Sequence, residues 1–106
     1  MKLPNYSILP EVSSTISDSL AKFFVSFLPP DSKIEQIYWA FEGSVLRIWT
    51  IIDNPDDVVE EPIYEAQLRF MDKFPDVDCD FTVIYRLGKP LEEISPELAN
   101  RVFIPQ

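Results

Sequence analysis

The 106-residue sequence contains no histidine, one cysteine and only two glycines. Without histidine there is no Ser-His-Asp or Cys-His catalytic set, and no zinc site built on Cys and His ligands. A single cysteine excludes an internal disulfide scaffold. Two glycines, Gly43 and Gly88, cannot build the glycine-rich loop of a phosphate-loop NTPase. Long hydrophobic runs are also missing. The most apolar stretch, Leu20 to Leu28, contains Lys22 and falls well short of the ~20 residues that span a bilayer. Bases are scarce, nine against eighteen acids, for a formal net charge of −9.

What is present is the composition of a folded domain. Forty-six per cent of the residues are apolar and 25% are charged, so a core can form without staples. The negative charge is segregated. Residues 53–80 hold ten acids and two bases, while the other 78 residues are nearly balanced. One end or side should therefore carry a negative potential, which repels phosphate and favours basic partners. This argues against nucleic acid, whose binding is driven by Lys and Arg on phosphate. The lone Cys79 suits a reducing compartment. The opening Met-Lys-Leu-Pro-Asn-Tyr-Ser lacks the apolar stretch of a signal peptide. Together these predict a cytoplasmic protein, mature from residue 1, with no membrane attachment.

Along the chain, residues 1–11 contain Pro4 and Pro10 without a clear period and read as an N-terminal arm. Residues 12–106 read as one domain. Val12, Ile16, Leu20, Phe23 and Phe27 recur at helical spacing, which predicts a helix over 13–28, capped by Ser13 and stopped by Pro29-Pro30. Residues 33–42 and 44–53 are rich in β-branched and aromatic types, with Glu42-Gly43 as a tight turn between them. That turn would pair Trp39 with Leu46 and Ile37 with Ile48. One face would carry Ile37, Trp39, Phe41, Leu46, Ile48 and Ile52, the other Ile34, Tyr38, Ala40, Val45, Arg47, Trp49 and Ile51. Both faces are apolar, so one helix is expected on each.

Asp56 or Asp57 caps a second helix, expected to become regular near 59–61 with Pro62 in its first turn and to end at Phe74-Pro75. A third strand is expected over 77–87, broken by Gly88-Lys89-Pro90. Ser95-Pro96-Glu97 predicts a short helix over 96–101. The fold class is thus α+β: a compact single domain, α-β-β-α-β(-α). Its three-stranded mixed sheet joins an antiparallel hairpin to a parallel β-α-β crossover and packs with two main helices.

Three groups of residues could carry function. Asp76, Asp78 and Asp80 alternate along a strand start and could offer carboxylates to Mg²⁺ or Ca²⁺. A parallel crossover would, however, place them at the opposite sheet end from Asp53. Tyr38, Arg47 and Trp49 share one sheet face and are the residue types enriched at binding hot spots. The acidic segment Asp53, Asp56, Asp57, Glu60 and Glu61 could attract a basic partner. Cys79, between two aspartates, is expected to be an inert thiol. No catalytic constellation and no cofactor motif emerges. The sequence favours a non-enzymatic protein-interaction module, binding a protein partner or a second copy of itself. The rival class is a divalent-metal-dependent or carboxylate-based enzyme using Asp76, Asp78 and Asp80.

Overall fold

The computed structural model describes residues 19–96 and the backbone of 100–102. The expected arm over 1–11, the first turns of the predicted N-terminal helix and the closing residues 103–106 lie outside the described residues. Helix α1 covers 19–26 of the described chain. It ends as predicted before Pro29, in a tightened turn where Phe27 N–H bonds Phe24 O and Leu28 N–H bonds Val25 O. Then follow β1 (Gln36–Glu42), β2 (Val45–Ile52), α2 (Asp57–Lys73), β3 (Asp78–Tyr85), α3 (Leu91–Ile94) and β4 (Asn100–Val102). The order of strands across the sheet is β3-β2-β1-β4. β1 and β2 form the antiparallel hairpin, and β2 and β3 are parallel across α2. The predicted mixed sheet is therefore present. The three-residue β4 extends it beside β1.

The hairpin register is two residues away from the one expected. Glu42 pairs with Val45, Phe41 with Leu46 and Trp39 with Ile48, so the loop is Gly43-Ser44. Gly43 has φ +60, the conformation that a type II′ turn requires at its first central residue. A Glu42-Gly43 loop would have put a glutamate in that strained seat. Because the shift is an even number of residues, the side chains of β1 and β2 keep their predicted faces. Ile34, expected beside Tyr38, lies before β1 and packs in the helix-side core instead.

The expectation of one helix per face does not hold. Ala21 and Phe24 from α1, and Ile63, Ala66 and Phe70 from α2, join Ile37, Trp39, Leu46, Ile48 and Ile52 in one core. Both main helices therefore pack on the same side of the sheet. Phe24, Phe70 and Phe81 meet there, with ring centroids 5.4–6.5 Å apart. Each such buried ring contributes about 1.5–3 kcal/mol. The apolar stripe of α1 also sits one residue away from the predicted one. Ala21 and Phe24 are fully buried, whereas Phe23 is 43% exposed.

α2 begins earlier than expected. Asp56 caps it by accepting from Val58 N–H, and Pro62 lies inside the helix. The short helix α3 precedes Ser95, and 100–102 are strand, so the helix predicted over 96–101 is displaced toward the N-terminus. Among the described residues, no helix is long and apolar enough to cross a membrane.

Candidate functional site

Two polar networks occupy the end of the sheet where the parallel strands β2 and β3 finish. The first centres on Arg86, just beyond β3. Its Nε and Nη2 engage both carboxylate oxygens of Glu35, and Nη1 donates to Lys89 O at 3.0 Å. Asp53 Oδ1 lies 3.4 Å from Nη2 and accepts from Gly88 N–H at 2.9 Å. A bidentate guanidinium–carboxylate pair fixes geometry as well as charge. Here it joins the entry to β1 with the loop after β3, where Leu87 and Gly88 both have positive φ.

The second network centres on Glu60, in the first turn of α2. One carboxylate oxygen accepts from Tyr64 OH at 2.7 Å and Tyr85 OH at 2.9 Å. The other accepts from Asp56 N–H at 2.9 Å. The Tyr64 hydroxyl, then the Asp56 amide and the Tyr85 hydroxyl, hold the Glu60 carboxyl below the usual range, against the opposing effect of burial. Tyr64 is in turn pushed up to about 12, chiefly by its bond to Glu60. A cleft of about 290 Å³ opens between the two networks, lined by Lys33, Glu35, Ile52, Asp53, Asn54 and Asp56. It lies beyond the carboxyl ends of parallel strands, where open α/β sheets place ligands.

The acidic segment is thus only partly a free surface. Asp53 is paired, Asp56 caps a helix, and Glu60 is buried at 7% exposure. Asp57 and Glu61 are exposed.

The Tyr38, Arg47 and Trp49 group shares the sheet face away from the two main helices, since Tyr38 pairs with Trp49 and Ala40 with Arg47. Tyr38 OH accepts from Ser95 Oγ at 2.8 Å, which brings the end of α3 to this side. Arg47 reaches Glu42 at 3.0 Å and Asp80 at 3.6 Å. Trp49 is half-buried.

At the opposite sheet end, Asp78 pairs with Val45 and Asp80 with Arg47. Val45 and Asp53 are eight residues apart on β2, about 25 Å, so the two acidic ends do not meet. Among the described residues, no group of three or more His, Cys, Asp or Glu side chains is placed to hold a metal ion. Asp76, Asp78 and Asp80 form no such group. Asp80 faces the Arg47 guanidinium, and Asp76 sits in the turn before the strand. Cys79 is pushed up to about 11, first by burial and then by Asp78, which leaves little thiolate at neutral pH.

Sequence reasoning did not single out Glu35, Arg86, Tyr64 and Tyr85. They lie up to 51 residues apart in the chain, and the antiparallel hairpin and the parallel β2–β3 register together bring them to one end of the sheet. The available signal was the lone charge of Arg86 at a predicted strand end. No family model, no curated protein and no solved structure matches this chain.

Proposed function

We propose that the domain is a non-enzymatic protein-interaction module that docks through the sheet face carrying Tyr38, Arg47 and Trp49. The observation that carries this reading is the one-sided packing of the helices. Both α1 and α2 contribute to the core on the other face. On this face Tyr38 and Ile51 are buried while Arg47 and Trp49 stay half-exposed, so part of an apolar sheet surface is left for a partner. Its residue types suit the role, because Tyr, Trp and Arg dominate binding hot spots. The ion pairs to Glu42 and Asp80 hold Arg47 in place beside Trp49, which lowers the entropy lost on docking.

The test is a tagged pull-down with the wild-type chain and a Trp49→Ala/Arg47→Glu variant whose fold is confirmed by circular dichroism. Light scattering on both reads self-association. A stoichiometric partner, or a dimer, lost in the folded variant supports the reading. Binding or dimerisation equal in both proteins overturns this choice of face.

A further inference from the structure

A second surface of the molecule has a more specific shape. β3 is the last strand of the sheet on its side, with β2 its neighbour among the described residues. The bond from Arg86 N–H to Ile52 O continues the β2–β3 ladder one step past the strand. By alternation, Phe81, Val83 and Tyr85 turn their backbone N–H and C=O groups to the open edge.

Beside this edge runs an apolar stripe on α2. Tyr64 and Met71 share one flank of α2 and are 46% and 43% exposed, whereas Leu68, 64% exposed, lies between the buried Ala66 and Phe70 in sequence and so points away from the sheet. Glu60 fixes the stripe against the strand, because its carboxylate binds Tyr64 on the helix and Tyr85 on β3 together. From Tyr64 to Met71 is about 10 Å of helix. The same length of β3 runs from Tyr85 to Thr82. A strand added at the edge would thus have a wall for the side chains on its helix side. On its other side it would meet Asp78 and Asp80, both exposed. Asp57, Glu61 and Asp72, also exposed, border the stripe on α2.

We propose that the β3 edge binds an extended segment of a partner protein in which basic and apolar residues alternate, adding a fifth strand to the sheet. The apolar residues would cover Tyr64 and Met71, and the basic ones would face Asp78 and Asp80. Backbone bonds to Phe81 and Val83 supply the affinity, and the alternation supplies the register. The charge settles the choice of occupant. A second copy of this chain carries a net charge of −9 and is repelled, whereas a basic strand is attracted to the segment that holds ten of the eighteen acids. This inference rests on the reading of the domain as an interaction module, but on a different surface.

The experiment uses the full chain and a fluorescent peptide of alternating lysine and valine, matched to the eight residues of β3. Fluorescence anisotropy reads binding, and amide exchange reads its location. Saturable binding is expected, with slowed exchange at Phe81 and Val83. Met71→Lys should weaken it about tenfold, and Asp78→Asn/Asp80→Asn should weaken it at low salt. N-methylation of alternate peptide amides, which leaves the protein untouched, should abolish it. Trp49→Ala, which keeps the Arg47–Asp80 pair, should leave it unchanged, which separates this surface from the sheet face. The proposal is overturned if the N-methylated peptide binds as tightly as the parent, if Met71→Lys has no effect, or if no binding is detected.

Discussion

Glu60 is a carboxylate in the first turn of a helix, a position that sequence alone assigns to solvent. Its burial comes from Tyr85, 25 residues away, so no local pattern could disclose it. Asp56, by contrast, was legible as a cap because capping is local chemistry. The Glu60 network sets a pH signature. Glu60 has its pKa lowered in the folded state, so its contribution is present above the unfolded value and is lost as pH falls through the folded one. Tyr64 has its pKa raised to about 12. Its contribution is complete below the ordinary tyrosine value, near ~10, and is lost as pH rises through the folded one. Ultraviolet titration of tyrosinate should show a component near 12. Glu60→Gln should bring that component down toward the ordinary range, and Tyr64→Phe should delete it. If the tyrosinate curve of Glu60→Gln matches that of the parent, the Tyr64–Glu60 bond is not made in solution.

At the level of elements, the β-α-β order and the two strand faces were readable, because alternation and the stops at Pro and Gly are written locally. The hairpin register was not. Both loops considered for 42–44 contain Gly43, and the choice depends on which residue must take a positive φ. The assignment of helices to faces was also hidden. Ile37 and Trp39 on one side, and Tyr38 and Trp49 on the other, are equally apolar in sequence. Only the packing of Phe24, Phe70 and Phe81 decides which side the helices take. Gly43 provides a clean test of the turn. A Cβ at this position would meet nothing within 4 Å, so any cost of substitution is backbone strain alone. Gly43→Ala should destabilise the fold by about 1–2 kcal/mol, read by urea unfolding with unchanged slope. Gly43→Asn should cost less, since Asn tolerates the left-handed region. Equal stability of all three proteins would show that the turn relaxes to another type.

For the whole molecule, the segregation of acids in the sequence becomes a separation in space. The parallel register sends Asp53 to one end of the sheet and Asp78 to the other, about 25 Å apart. At 10 mM salt the Debye length is ~30 Å, so the two ends repel each other across the fold. At 150 mM it is ~8 Å, and they do not. Two effects then compete as salt is added. Screening weakens the exposed Arg47 pairs, which are worth little in any case. The partly shielded Arg86–Glu35 pair, with side chains 24% and 31% exposed, is screened less. The repulsion of a net −9 chain is relieved over the same range, and this term should win. Tm is therefore expected to rise between about 10 and 150 mM NaCl. The rise should flatten in Asp57→Asn/Glu61→Gln/Asp76→Asn, which removes three exposed acids that make no ion pair among the described residues. A Tm that falls with salt in the parent would mean that the ion pairs, and not the acidic field, dominate the electrostatics of the fold. The same field draws a basic strand to β3, so such a fall would also remove the charge argument for that occupant.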